Sequence, residues 1–147
     1  MSKVTYDTNI FIRRKPQALS TGFYMSIVVL QELVAGANDT SAVKELKRSF
    51  LEWQKTNRLL VPDMEDWWQV GFIINALQRG RRSNKTGLIP KMSVEERHRI
   101  TNDVLIARTA KRAGVTVVTD NVSDFKKIKH FCDVRIISGR DYFGKHK

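Results

Sequence analysis

Four carboxylates stand where side chains from distant parts of the chain can meet. Asp7 follows a short β-prone run, Asp124 follows a β-branched run, and Glu32 and Asp103 lie in helical stretches. If they converge, their charges repel, and at least one protonates unless cations neutralise them. Oxygen-only ligands suit Mg²⁺ or Mn²⁺ rather than zinc, and one or two such ions activate water and stabilise the leaving oxygen in phosphodiester cleavage.

Glu32 is the acid that an ordinary structural role explains least well. Its neighbours one helical turn away are Val28, Val29, Ala35 and Gly36, so its carboxylate is expected to be partly removed from water. A buried charge without a partner is costly, which predicts a compensating basic side chain, proton or metal ion. The alternative is that Glu32 reaches water or pairs with an arginine.

The aspartates are expected at one edge of a sheet. In open parallel sheets, sites form beyond the carboxyl ends of the strands, where Asp7, Asp120 and Asp124 are predicted to lie. Asp103 is predicted to open the helix that leads into the strand before Asp120, near the same edge. Taken singly, each aspartate could instead cap a helix.

The elements that would position these acids alternate along the chain. We expect strands at Val4–Tyr6, Phe23–Met25, Leu59–Val61, Val115–Val118 and Val134–Ile137. We expect helices over Ile27–Ala35, from Asp39–Ser41 onward, after Asp63, from Thr101 or Asn102 to Ala113, and over Ser123–Lys129. This alternation favours one α/β domain over residues 1–147, with a parallel sheet covered by helices on both faces.

The helix after Asp63 and the segment that follows it carry two further predictions. Arg79–Lys91 is basic and contains glycine and proline, which is typical of a loop. The tryptophans at 53, 67 and 68 could stack on bases, but their helical spacing is more typical of core or of a docking surface. The face predicted to pack inward carries Trp67, Val70 or Gly71, Ile74 and Leu77.

Charge and composition indicate the class of partner. The chain has 26 Lys and Arg against 15 Asp and Glu, a net charge of +11 that favours a polyanion, usually nucleic acid. The alternative is a protein that is merely soluble and basic. A lysine run at 126, 127 and 129 is a better candidate for phosphate contact than the basic Arg79–Lys91 segment, because it lies beside the proposed site. The chain shows neither a secretory signal nor an apolar run able to span a bilayer, which predicts a cytoplasmic protein without membrane contact.

Four segments resemble the PIN-domain family, each around one of the acids. They are Val4–Ile12 with the first aspartate, Ser26–Leu33 with the glutamate, Thr101–Ala107 with the third acid, and Gly114–Phe125 with the closing strand and fourth acid. They occur in the family's order over nearly the whole chain. Within the family, the sequence most resembles the VapC-type toxins of bacterial toxin–antitoxin pairs.

The resemblance implies a three-layer α/β/α fold around a mostly parallel sheet and Mg²⁺- or Mn²⁺-dependent cleavage of RNA as an endoribonuclease. It also implies a cognate VapB-type antitoxin, a homodimer and a toxin–antitoxin hetero-oligomer. Carried over position by position, it assigns the metal site to Asp7, Glu32, Asp103 and Asp124. It assigns supporting roles to Thr8, Asn9, Thr119 and Asn121.

The sequence departs from the family pattern in two places. Asp120 stands where the family more often has a neutral or basic residue, so it is a candidate fifth acid or could share the role of Asp124. The stretch between Glu32 and Asp103 is somewhat long, and the Arg79–Lys91 segment accounts for the extra length.

Two other functions are weighed against the nuclease. One is a non-catalytic nucleic-acid-binding or regulatory domain on the same fold, in which the acids merely cap helices. The other is a phosphatase, which needs a second aspartate two residues after Asp7, where Asn9 stands.

Overall fold

The structure, a computed structural model, describes residues 2–81 and 91–145. Most of the predicted Arg79–Lys91 loop lies outside these residues; Arg79 itself ends a helix. The elements are β1 (Val4–Tyr6), α1 (Thr8–Arg14), β2 (Met25–Ser26), α2 (Ile27–Ala35), α3 (Thr40–Lys55), β3 (Leu59–Leu60), α4 (Met64–Arg79), α5 (Val94–Ala113), β4 (Thr116–Thr119), α6 (Val122–Ile128), β5 (Ile136–Ser138) and α7 (Gly139–Lys145).

The strands are parallel throughout the described sheet. β4 lies between β1 and β5, and β2 pairs with β3. A bridge between Val4 and Phe23, with the Tyr24 N–H donating to the Val4 carbonyl at 2.8 Å, joins the two groups of strands. The predicted α/β class with a parallel sheet is confirmed. Because the strands are parallel, their carboxyl ends share one edge, where Asp7 and Asp120 follow β1 and β4.

The core forms where helices cover the strands. Val117 and Val118 of β4 have no exposed surface, and neither does Ile106 of α5. The ring of Tyr6 lies 4.9 Å from that of Phe23, centroid to centroid, which packs β1 against the segment that precedes β2. Continuous burial along β1 and β4 is the pattern of strands covered on both faces.

Three helices begin where the sequence predicts. Ser26 accepts the Val29 N–H at the start of α2, which ends before Gly36 as expected. Asp39 accepts the Ala42 N–H at 2.8 Å and starts α3. Asp63 starts α4 with a reciprocal capping box.

The predicted start of α5 at Thr101 or Asn102 is wrong. The helix begins two turns earlier at Val94, where the Ser93 hydroxyl accepts the Glu96 N–H at 3.1 Å. The run of charged residues after Ser93 hides the helical period, because the apolar positions begin only at Ile100. Asp103 therefore lies in the middle of α5, where no helix end needs a capping carboxylate.

The predicted inner face of α4 is also partly wrong. Trp67 is 56% exposed, and Gly71 is exposed as well. Helix α4 is rotated about its own axis relative to the prediction, because Asp66, which has no exposed surface, forms ion pairs with two arginines of α5. The residues of α4 that are buried are Asp66, Val70, Ile73 and Ile74.

Two further features concern membrane contact and the cysteine. No helix in the described part of the chain is both long and apolar enough to cross a bilayer. Cys132 is 4% exposed and free, and it packs as a small apolar residue of the core.

Candidate active site

Asp7 lies at the junction between β1 and α1, and its side chain is held by groups of α1 and β4. One carboxylate oxygen, Oδ1, accepts the Thr8 N–H at 2.8 Å. The other, Oδ2, accepts the Thr119 hydroxyl at 2.8 Å and the Asn9 side-chain amide at 3.2 Å. The side chain is thus fixed in orientation, and the residue is only 7% exposed.

Thr8 connects the first acid to the second. Its N–H binds Asp7, and its hydroxyl donates to Oε1 of Glu32 on α2 at 2.9 Å. No arginine or lysine in the part of the chain described forms an ion pair with Glu32. The partner found for this carboxylate is therefore a neutral hydroxyl rather than a basic side chain.

The carboxylates from four separate segments line one pocket of about 250 Å³. Asp103 reaches it from the middle of α5, and Asp124 from the first turn of α6. The Lys127 ammonium lies 3.6 Å from a carboxylate oxygen of Asp124 on the same helix. The four members of this acid pocket are Asp7, Glu32, Asp103 and Asp124.

Mutual repulsion in the acid pocket changes its proton affinity. Burial, together with the charges of Asp7, Asp124 and Glu32, raises the pKa of Asp103 to about 8, and Arg99 opposes the shift. The pKa of Asp7 is also raised, by burial first and then by its acidic neighbours, despite its hydrogen bonds. The pocket is therefore a concentration of negative charge that the chain itself leaves largely uncompensated.

Asp120 does not join the other four acids. Arg14 holds its carboxylate, with Nη2 2.9 Å from Oδ1 and Nε 3.1 Å from Oδ2. The Asp120 N–H donates to Oδ1 of Asn9 at 3.3 Å, which ties the end of β4 to α1. Asp120 is absent from the residues that line the acid pocket, whereas Asp124 lies among them.

The remaining predicted supporting residues lie at the turn after β4. The Thr119 hydroxyl, which donates to Asp7, also accepts the Asn121 N–H at 3.0 Å. Asn121 begins α6 and lines the pocket. The turn that carries Asp124 is thus linked to the first acid through one buried hydroxyl.

The four acids of the pocket offer oxygen ligands alone, the set that Mg²⁺ and Mn²⁺ prefer. Within residues 2–81 and 91–145, no three acidic, histidine or cysteine side chains are close enough to form a ready-made metal site. The acids therefore share a pocket without converging on a single point.

Comparison with known proteins identifies the family. Residues 4–130 match the PIN domain family. This chain belongs to the PIN-domain family. Ribonuclease VapC1 of Rickettsia felis (strain ATCC VR-1525 / URRWXCal2) is 30% identical over 147 residues, covering 92% of this chain and 96% of the relative. The resemblance predicted from the four segments is confirmed.

Solved structures show the same fold. VapBC-1 from nontypeable Haemophilus influenzae matches this PIN domain with a TM-score of 0.55 and 21% identity, over 92% of this chain and 96% of that one. DNA-bound VapBC from Salmonella typhimurium matches with a TM-score of 0.55 and 24% identity, over 94% and 98%. At these identities, the likeness concerns the fold alone.

Sequence reasoning missed four side chains that also line the acid pocket of this PIN domain. They are Ile12, His98, Arg99 and Asn102. Asn102 is 9% exposed, and its amide nitrogen lies 3.3 Å from Nε2 of His98. Arg99 precedes Asp103 by four residues, so a correct start for α5 would have placed both on one face.

Proposed function

We propose that this PIN domain is a metal-dependent endoribonuclease that hydrolyses RNA phosphodiester bonds, and that it is the toxin of a toxin–antitoxin pair. The observation that carries the proposal is the acid pocket, in which four carboxylates meet without enough basic partners. A chain with a net charge of +11 leaves these acids uncompensated, although cationic side chains are abundant. The name of the Rickettsia felis relative, a ribonuclease, supports the same activity.

The acid pocket fits a hard divalent cation such as Mg²⁺ or Mn²⁺. Its four carboxylates would hold the ion after small side-chain movements. Binding would be favourable because the cation relieves the repulsion between the carboxylates. When bound, such an ion supplies the positive charge that stabilises a phosphate under attack by water and the departing oxygen.

The chain's own residues orient the acids and receive the substrate. Thr8 and Thr119 hold Asp7 and Glu32 through hydroxyl groups, so the carboxylates are fixed before RNA binds. Arg99 also lines the pocket, and its guanidinium group can donate hydrogen bonds to a phosphate of the RNA. Because burial and acidic neighbours raise the pKa of Asp103, a bound cation would lower it and favour the carboxylate form.

A comparison of two Asp→Asn variants tests the activity. We expect purified protein to cleave cellular RNA with Mg²⁺ or Mn²⁺, and to stop when EDTA is added. Asp7→Asn should abolish cleavage, whereas the control Asp141→Asn, at an exposed position of α7, should leave it unchanged. Equal cleavage by Asp7→Asn and the unmodified protein would refute the assignment.

The competing function, a non-catalytic nucleic-acid-binding domain, makes the opposite prediction. RNA binding would weaken with salt, because it depends on phosphate contacts, but would be indifferent to Asp103→Asn and to chelators. No metal-dependent product would appear on a gel at any enzyme concentration.

For the antitoxin partner, we infer docking in the apolar groove between α2 and α3. This groove of about 380 Å³ is lined mainly by Ile27, Leu30, Val34, Val43, Leu46 and Phe50. The structural neighbours carry VapBC in their names, so a VapB-type antitoxin is the partner we propose, in a hetero-oligomer built on a homodimer.

The groove can be tested by co-purification of the chain with the product of an adjacent short gene. Val34→Asp, at a position 37% exposed inside the groove, should prevent co-purification. Leu51→Asp, at a position 50% exposed on α3 but outside the groove, is the matched control. Light scattering on the chain alone measures the homodimer directly.

A further inference from the structure

Three aromatic side chains form a row on the surface formed by α4 and the end of α6. Trp68 and Phe72 stack with their ring centroids 5.5 Å apart and their planes 17° from parallel. Phe72 meets Phe131 edge-on at 6.3 Å. Trp68 is 62% exposed and Phe72 49%, so this aromatic row (Trp68, Phe72 and Phe131) offers ring faces to solvent.

Helix α6 connects the aromatic row to the acid pocket. Asp124 in its first turn lines the pocket, and Phe131 follows three residues after its last residue. The seven residues of α6 cover about 10 Å along the helix axis, a length that a few nucleotides of extended strand can span. The distance makes simultaneous contact of one strand with the pocket and the row feasible.

Basic side chains accompany both α6 and the aromatic row. Lys126, Lys127 and Lys129 are exposed on or directly after α6. Beside Phe131, Arg108 and Lys111 line the same hollow as that ring. Cationic groups are therefore available both on the helix that carries Asp124 and next to the row.

Charge decides which partner fits this surface. A second copy of the chain carries the same net charge of +11 and would bring lysines against lysines. An RNA strand offers phosphates to the lysines and bases to the rings, which is the combination used by proteins that bind single-stranded nucleic acid. Bases inside a duplex are already stacked and cannot reach the row.

We propose that the aromatic row stacks unpaired bases of the RNA whose backbone lies over the lysines of α6. The substrate class is then RNA with a single-stranded segment beside the cleaved bond. The cleavage part of this statement rests on the proposed function, whereas binding by the row does not.

The test compares two neighbouring tryptophans in the Asp7→Asn background, where the RNA probe is expected to stay intact. Trp68→Ala should weaken binding of a fluorescent single-stranded RNA by about 5- to 150-fold, as loss of one stacked base predicts. Trp68→Tyr should restore most of the affinity, and Trp68→Leu should not. Trp67→Ala is the control, because Trp67 is 56% exposed on the same helix but has no ring partner among the described residues.

The matching duplex and the cleavage assay separate the possible failures. Duplex RNA of the same sequence should bind Trp68→Ala and the parent equally. Unchanged single-strand affinity in Trp68→Ala, or equal loss in Trp67→Ala, overturns the proposal even if Asp7→Asn abolishes cleavage. A changed molecular mass of Trp68→Ala in light scattering, with RNA affinity intact, overturns it in favour of a protein interface. If RNA binding depends on Trp68 but the unmodified protein does not cleave RNA, base stacking by the aromatic row is supported and the proposed nuclease activity is refuted.

Discussion

The molecule buries carboxylates in two regions and treats them in opposite ways. Asp66 on α4 has no exposed surface, and it accepts Nε of Arg108 at 2.8 Å and both Nη groups of Arg112. Burial alone would raise the pKa of Asp66, but the hydrogen bonds from Arg112, the Asp63 N–H and Arg108 outweigh it and lower the pKa. This carboxylate is charged, paired and structural.

The acid pocket has fewer such partners: among the described residues, Lys127 pairs with Asp124, whereas Asp7, Glu32 and Asp103 form no ion pair. Burial and like charges raise the pKa of Asp103 there, with Arg99 as the opposing cation. The same desolvation thus acts on both regions, and the difference is whether the chain supplies arginines. A buried carboxylate that the fold pairs stabilises helix packing, whereas a cluster left unpaired is prepared for a ligand from outside.

Removing an acid from the pocket should have the largest effect on activity. Asp103→Asn should lower RNA cleavage by about a hundred- to ten-thousand-fold, the range for loss of a group that acts at the reacting atoms. Above about pH 8, the free energy of unfolding of the metal-free variant should be higher than that of the parent, because the charge that Asp103 acquires there is missing. Gel assays and urea denaturation measure the two effects, and a variant that is both active and unstable would contradict the comparison.

Replacing Asp66, the paired acid, should lower stability and leave cleavage nearly unchanged. Asp66→Asn should lower the free energy of unfolding by about 2–3 kcal/mol, because Arg108 and Arg112 lose the charge that balances them. Cleavage per folded molecule should change little. Glu96→Gln, which breaks an exposed pair with Arg81, is the control and should destabilise much less.

The two regions should also respond oppositely to pH in the metal-free protein. The pKa of Asp103 is raised from the ordinary 3.8 to about 8 in the folded state, so its contribution to stability is full below that ordinary value and is lost progressively as pH rises to about 8. The pKa of Asp66 is lowered in the folded state, so its contribution is present above the ordinary aspartate range and is lost as pH falls below it. Thermal unfolding from pH 3 to 9 should show both slopes. Asp103→Asn should remove the decline toward neutral pH and Asp66→Asn the decline at the acid end, and Mg²⁺ should flatten the slope that depends on Asp103.

The smallest effect on cleavage is expected at Asp120, which is paired like Asp66 but lies near the acid pocket. Asp120 is paired with Arg14 and lies outside the pocket, so Asp120→Asn should reduce cleavage by less than about tenfold, against at least about a hundredfold for Asp124→Asn. Equal losses in the two variants would place Asp120 among the acids that act on the substrate. Steady-state cleavage rates at saturating Mg²⁺ provide the measurement.

Local signals in the sequence predicted the strand ends to within one residue and several of the helix starts. Ser26 and Asp39 cap helices as expected, because capping depends on one side chain and the next three residues. The alternation of strands and helices predicted the parallel sheet, and with it the edge at which Asp7 and Asp124 lie.

Features that depend on distant partners were not predictable in this way. The inward turn of Asp66 requires arginines more than forty residues away, and the capture of Asp120 by Arg14 spans 106 positions. The pocket-lining residues Arg99 and Asn102 were missed because the charged first turns of α5 conceal its start. Apolar periodicity predicts which face of a helix is buried, but it does not predict which polar residues become buried through tertiary contacts.

The absence of a side chain at Gly139 has a consequence for how this protein can vary. A Cβ there would overlap the Asp120 carboxylate, the Arg14 guanidinium and the end of Ile10. The first residue of α7 is therefore seated directly on the ion pair that joins α1 to the end of β4. A homologue with a side chain at 139 would have to move the Arg14–Asp120 pair, so we expect the residue types at these positions to vary together.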